Sequence, residues 1–387
     1  YYATIMNRVI LLVLDGFGIG ALTEVDGADR PDTLGHLAAA VGGLRLPTLE
    51  TLGLGNVGAI AGVRPMTQLN GCFGRLQFAT PGADSIGGHW ELCGVMHERR
   101  PAPFLSGIPR EIHHQIEQAL GRKIIGVRTG TAQALIAQCA DEHLASGAPI
   151  VWTDGGWTCT VAAHVSMMPQ TELYQRCRDL RKQFAGKPGP QRVIACPISG
   201  EAGALDIRSG RKDFMAEPPA VSLLDVLSRA GQMVMGVGKV HDLFGGRGVT
   251  RAFPAATMAA ALEETSKMLA KVPRGLLYVS VDGCPDDPAG AAAAWEDCDR
   301  RIGQLCEELR AGDLLVVTGD HGRDVTLGEK TPTREYVPLL TTGPKLAQGV
   351  NLGTRVTAAD LGQTIAEALK AERLPIGESF YDALCAG

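Results

Sequence analysis

Residues Arg8-Val-Ile-Leu-Leu-Val-Leu14 form a nearly continuous apolar run that stops at Asp15-Gly16-Phe17-Gly18-Ile19-Gly20. A run apolar on both faces marks a parallel strand buried between layers of helices. An acid at the carboxyl end of such a strand falls where open α/β sheets bind ligands. The plainer reading of Asp15 is an Asp-Gly turn. The pattern recurs, which favours the ligand-binding reading. Gly275–Val281 is a predicted strand ending at Asp282, and Asp313–Thr318 is one ending in Gly319-Asp320-His321-Gly322. Met233–Lys239 reads as a strand with a glycine-rich end, and Val337–Leu340 as a short one. Helices are predicted at 223–230, 256–271 and 291–309. Asp32-Thr33-Leu34-Gly35-His36 opens another, capped by Asp32 or Thr33, and a short one begins near Pro47. Alternating strands and helices imply a mostly parallel sheet with helices on both faces.

With 387 residues the chain is long for a single core, so two domains are expected. The texture changes near 99–110, which is rich in arginine and proline. Beyond it, helices are expected at 109–120, 130–146 and 170–185, with strands at 148–152 and 191–195. The expected organisation is a core of residues 1–99 and 218–387 with a small α/β domain, 100–217, inserted into it. Net charge is −5 without a basic stripe, so nucleic acid is not an expected partner. No apolar run has the length of a membrane span. The five residues before Met6 carry no basic n-region or cleavage site, so no leader is expected, and they are left outside the fold. The ten cysteines form no C-x-x-C pair, which points to reduced thiols, a cytoplasmic location and no zinc finger. Nothing in the sequence sets the oligomeric state.

Thr80 to Gly88 reads as a loop carrying Asp84 and Ser85, and His89-Trp90 follow it. The Ser85 hydroxyl is either a helix N-cap or a nucleophile. Asp15, Asp282, Asp320 and His321 supply carboxylates and an imidazole, the ligands a divalent metal takes. A metal beside Ser85 would favour its alkoxide. His89 lies four residues beyond Ser85 on a predicted helix face. Trp90 is as readily core packing, and His36 and His164 read as satisfied structural histidines. Arg334 and Glu335 are candidates for an internal ion pair. Lys239, at a strand end, is a candidate phosphate contact.

These residues resemble the phosphopentomutases, metalloenzymes of the alkaline phosphatase superfamily. The markers span nearly the whole chain. They are Val13–Gly20, Asp32–His36, Leu52-Gly53-Leu54-Gly55-Asn56, Gly88-His89-Trp90-Glu91, Gly236-Val237-Gly238-Lys239, Gly319–Gly322 and Thr333-Arg334-Glu335-Tyr336-Val337-Pro338. The resemblance implies an alkaline-phosphatase-like core with an inserted α/β cap. It implies an isomerase that moves phosphate between the 1- and 5-positions of ribose or deoxyribose, primed by a bisphosphorylated sugar. Ser85 stands at the position of the family's phosphorylated threonine, so the resemblance implies a phosphoprotein. Asp15, Ser85, Asp320 and His321 match the ligands of one ion, expected to be Mn²⁺ with Zn²⁺ or Mg²⁺ as alternatives. Asp282 is a further candidate ligand. Arg208, Arg211 and Lys239 match basic positions at substrate phosphate, where the guanidinium fork binds in a bidentate way. Asp84, His89 and Asp154 are further candidate substrate contacts.

The resemblance also implies a second ion, and here the chain departs from it. Pro332 replaces a histidine before Thr333-Arg334-Glu335, and the loop Gly283-Cys284-Pro285-Asp286-Asp287-Pro288 contains none. Beyond His241 the sole histidine is His321. One ion is therefore expected, with Asp282, Asp286 and Asp287 as the carboxylates left to a second. In the cap, Asp154-Gly155-Gly156-Trp157 displaces an acid and Cys196 replaces an arginine, both at positions that face the sugar. Two alternatives follow. One is a one-metal enzyme of the same fold acting on another phosphorylated or phosphonate metabolite by hydrolysis or a biosynthetic step. The other is an inactive ligand-binding homologue.

Overall fold

The strand Arg8–Leu14 lies near the middle of an eight-stranded sheet. The computed structural model describes residues 6–25, 30–96, 104, 106–153, 157–184, 187, 189–201, 204–207, 210–327 and 331–385. The strands run in the order Arg251–Phe253, Val234–Val237, Gly275–Val281, Arg8–Leu14, Asp313–Gly319, Val337–Thr342, Cys72–Leu76, Asn351–Arg355. The first five are mutually parallel, and Val337–Thr342 runs antiparallel to both its neighbours. No residue of Arg8–Leu14 is more than 1% exposed. Ile10, Leu12 and Leu14 share a core with the helices Thr33–Val41, Met258–Lys271 and Pro288–Glu307. Val9, Leu11 and Val13 alternate to the other face and are equally buried.

The one charged residue of this strand is buried at its start. Arg8 Nε and Nη2 hold Asp313 Oδ1 and Oδ2 at 3.1 and 2.6 Å, and Nη1 donates to the carbonyls of Leu269 and Val272. Removing one partner strands the other charge in the core. Arg8→Met is expected to destabilise the protein by about 3–5 kcal/mol. The measurement is the urea midpoint at unchanged slope. A loss below about 1 kcal/mol would show that Asp313 finds other support.

The chain divides into two compact units, residues 1–98 with 218–387, and residues 99–217. The second unit has its own sheet, in the order Ile125–Thr129, Ile150–Thr153, Thr158–His164, Arg192–Ser199, Asp206–Ile207, with Lys212–Met215 also paired to Arg192–Ser199. Arg110–Leu120 and Gln170–Gln183 share a core with Val151, Val161 and Val193. Ala132–Ser146 packs with Ile150, Trp152 and Ala162 on the opposite face. The two strands expected in this unit are separated by a third, Thr158–His164, antiparallel to one and parallel to the other. No described helix is long and apolar enough to cross a membrane.

The register of the central strands builds the site. Leu14 pairs with Val281 on one side and with Gly319 on the other, both in parallel. The next residues are Asp15, Asp282 and Asp320, so three carboxylates leave the sheet side by side at its carboxyl edge.

Candidate active site

Asp84, not Ser85, caps the helix Ser85–Leu92. Its Oδ1 accepts from the Gly87 amide at 2.9 Å. The loop therefore ends at Asp84 and not at Gly88, and Asp84 is engaged as a cap. Ser85 takes the first helical position, half-buried, with Oγ 3.2 Å from His321 Nε2. Two side chains pin the preceding loop. Buried Glu91 accepts from the amides of Ala79, Thr80 and Ala358 and from Thr357 Oγ1. Arg334 donates to the carbonyls of Thr80 and Gly82 and pairs with Glu24 at 2.7 Å. Gly88 sets the closeness of helix and sheet, since a Cβ there would lie 2.2 Å from the Asp320 carbonyl oxygen.

Asp15, Asp320 and His321 each present a ligand atom within 4.8 Å of the others. His321 Nε2 is 3.7 Å from Asp15 Oδ1 and 3.4 Å from Asp320 Oδ2. His321 Nδ1 lies 2.9 Å from the Gly322 carbonyl, which can only accept, so Nδ1 carries the proton and Nε2 turns its lone pair to the site when the ring is neutral. Burial alone would lower the His321 pKa, but the Asp320 and Asp15 carboxylates outweigh it and raise it. Asp320 Oδ1 accepts from the Gly16 amide at 3.1 Å. Its Oδ2 is buried and has no hydrogen-bond partner among the described residues. An unsatisfied buried carboxylate oxygen facing an imidazole nitrogen and a second carboxylate fits a divalent cation with mixed O and N ligands.

Asp282 belongs to a second grouping. Lys239 Nζ lies 2.6 Å from Asp282 Oδ1 and 3.3 Å from Asp15 Oδ2, while Ser280 Oγ donates to Asp282 Oδ2 at 2.8 Å. Burial, the hydrogen bond with Asp15 and the Asp15 charge push Asp282 up to about 6 against the pull of Lys239. Burial would lower the Lys239 pKa, but Asp15 and Asp282 raise it. The two directions agree, because two crowded acids share one ammonium. Asp286 and Asp287 do not join them: Asp286 pairs with Arg323, and Asp287 caps Pro288–Glu307 through the Gly290 amide.

The other expected residues are placed as follows. His89 is 1% exposed, with Nδ1 2.7 Å from Tyr278 OH and Nε2 3.7 Å from Asp320 Oδ2, so its ring backs the Asp320 carboxylate from inside the protein. Burial pushes its pKa down, and the neighbouring acids offset this only in part. Trp90 is core, its Nε1 donating to the Leu243 carbonyl. The Arg334–Glu335 pair does not form. Glu335 instead accepts from the amides of Gly20 and Thr33 and from the hydroxyls of Thr33 and Thr333. His36 pairs with Asp324 at 2.6 Å, and His164 is satisfied by Ser166 and the Gly200 carbonyl. Arg211 belongs to the second unit, exposed and 3.3 Å from Asp213. Asp154 and Arg208 lie outside the described residues. Tyr278 and Ser280 escaped the sequence reading. Their signal is the alternation Tyr278, Ser280, Asp282, a polar stripe along one face of an otherwise apolar strand.

A mostly parallel sheet that gathers acids and an imidazole around a helix-borne hydroxyl is the setting of a metal-dependent enzyme. A family model described as the metalloenzyme superfamily matches residues 283–373. The chain is 36% identical over 383 residues to a phosphopentomutase of Clostridium novyi (strain NT), covering 97% of this chain and 98% of that one. It is 38% identical over 387 residues to one of Desulfitobacterium hafniense (strain DSM 10664 / DCB-2), covering 98% and 100%. A phosphoglycerate mutase structure from Leishmania mexicana, at low cobalt concentration, shares the fold with TM-score 0.50 and 13% identity, covering 98% of each chain. The chain belongs to the phosphopentomutase family. Membership makes it an isomerase with a divalent metal cofactor.

Proposed function

We propose that this protein moves a phosphoryl group between the 1- and 5-positions of ribose or deoxyribose through a phosphorylated Ser85. One divalent ion, Mn²⁺, would be held by Asp15, Asp320, His321 and Ser85. The observation that carries this reading is the 3.2 Å approach of Ser85 Oγ to Nε2 of His321, which with Asp15 and Asp320 makes the one three-ligand group found among the described residues. When bound, such an ion favours the serine alkoxide and offsets charge on the transferring phosphoryl group.

Each half-reaction is an exchange at Ser85. In the first, the phosphoserine O–P bond breaks and a bond forms from phosphorus to the free sugar hydroxyl, whose proton ends on Ser85 Oγ. In the second, the other phosphate of the resulting bisphosphate returns to Ser85 and the proton goes back to the sugar. Ser85 sits at the positive end of its helix, which favours phosphate there. The Gly16 amide holds Asp320 Oδ1 at 3.1 Å, and the His89 ring lies behind the carboxylate with Nε2 3.7 Å from Oδ2.

The test is a ³¹P spectrum of the protein with ribose 1-phosphate, Mn²⁺ and a catalytic amount of the ribose bisphosphate. Appearance of ribose 5-phosphate is expected. No interconversion would sink the mutase reading and return the choice to a one-metal enzyme on another metabolite or an inactive homologue. Relatives matched end to end weigh against both of those.

A further inference from the structure

Arg323 follows the turn Asp320-His321-Gly322 and reaches to the loop 283–287, which leaves the sheet after Asp282. Its Nη1 donates to the Cys284 carbonyl at 3.1 Å and its Nη2 to Asp286 Oδ1. The stem of the side chain is fixed as well. The Arg323 amide donates to Thr33 Oγ1 at 2.8 Å, and a Cβ on Gly16 would lie 2.6 Å from the Arg323 Cβ. Glycine beside Asp15 therefore lets the arginine pack against this turn. Asp15, Cys284 and Arg323 line one small cavity. The backbone of the loop does little to hold it in place. Among the described residues, no backbone-to-backbone hydrogen bond starts from the amides of Gly283, Cys284, Asp286 or Asp287. The loop also brings two further acids, Asp286 and Asp287, close behind Asp282, and like charges gathered in this way repel.

We infer that Arg323 is a positioning residue. Its guanidinium clasps the loop 283–287 to the turn that carries Asp320 and His321, and so holds the loop behind Asp282 without an ion in it. None of this depends on the phosphoryl-transfer reading above. A guanidinium suits the task, because its planar fork stays charged and can donate to a carbonyl and a carboxylate at once. An ammonium is a point charge and would hold the acid alone. The Arg323 side chain is 25% exposed and that of Asp286 62%, so their ion pair by itself is worth little. The hold comes from joining that pair to the Cys284 carbonyl and to a backbone already tied to Thr33. Cys284 reports on it. The thiol is half-buried, and burial pushes its pKa up to about 11, with Arg323 pulling it down and Asp15 and Asp287 pushing it further up.

The experiment measures how fast iodoacetamide alkylates Cys284, resolved by peptide mass spectrometry, in metal-stripped and in Mn²⁺-saturated protein, with folding followed by circular dichroism. Cys306 is the internal control: it too is half-buried and pushed up to about 11 by burial, and it lies at the far end of the helix Pro288–Glu307. In wild type, Mn²⁺ is expected to change the Cys284 rate by no more than about threefold. Arg323→Gln is expected to raise it by at least about tenfold and to leave Cys306 unchanged, because the loop opens locally. Charge alone would act the other way, since loss of the guanidinium leaves less thiolate. Arg323→Lys should fall between the two. Asp286→Asn should also speed the reaction, and the double variant should be no faster than Arg323→Gln, because both changes undo one clasp. An Arg323→Gln rate within about twofold of wild type overturns the inference, as does a double variant whose two effects multiply. So does a wild-type Cys284 that becomes at least about tenfold slower when Mn²⁺ is added, since the ion would then hold the loop. No substrate is present, so the outcome is independent of the mutase assay.

Discussion

Replacing Ser85 with alanine is expected to lower pentose phosphate interconversion by at least about 10⁴-fold, because it removes the atom on which every phosphoryl group must rest. The substitution is structurally mild. Asp84 caps the helix, so the Gly87 bond survives, and Ser85 is only half-buried. Stability should change by no more than about 0.5 kcal/mol. Metal binding should persist through Asp15, Asp320 and His321. Incubated with the bisphosphorylated sugar, wild type should gain one phosphoryl group by intact mass, located on Ser85, and Ser85→Ala should gain none. Ser85→Thr keeps a hydroxyl at the same position and should be phosphorylated. An alanine variant that retains more than about one hundredth of the activity would place the acceptor elsewhere.

The core of the site was legible because it depends on strand ends. Apolar runs closing on Asp15, Asp282 and Asp320 are visible in one dimension, and parallel register then sets the three acids level. What the sequence concealed depends on side-chain competition or on pairing between distant segments. Both Asp84 and Ser85 are able to cap a helix, and the hydrogen bond to Gly87 separates the cap from the hydroxyl that faces His321. Arg334 and Glu335 are adjacent and of opposite charge, yet successive residues point to opposite sides of extended chain. Arg334 therefore reaches the loop before Ser85, while Glu335 ties Gly20 and Thr33. The pairing of Lys239 with Asp15 and Asp282 was hidden because the two acids stand at the ends of strands far away in sequence. In the second unit, Thr158-Cys-Thr-Val-Ala-Ala-His164 lacks the bulky apolar texture of the core strands. Its strand character comes from neighbours on both sides.

Asp320→Asn is expected to separate stability from metal binding. The Asp320 carboxylate is fully buried, one of its oxygens lacks a hydrogen-bond partner, and it sits in a cluster with Asp15. Without metal, that arrangement costs folding free energy. An amide of the same shape can still accept from the Gly16 amide, as Oδ1 does now at 3.1 Å, but carries no charge. The metal-free Asn variant should therefore be more stable than metal-free wild type by about 1 kcal/mol, read as a higher urea midpoint at unchanged slope. Its Mn²⁺ affinity should fall by at least about 100-fold, since a neutral amide is a poor substitute for a carboxylate in holding a hard cation. Activity should fall with it. The order of stability then reverses in saturating Mn²⁺. Wild type gains about 2.7 kcal/mol when the free ion stands at 100 times its Kd, and the variant gains little. Crossing denaturation curves would mark Asp320 as a residue whose charge is strained in the empty protein and relieved by the ion. The assignment fails if metal-free Asp320→Asn is less stable than wild type, or if Mn²⁺ stabilises both proteins equally.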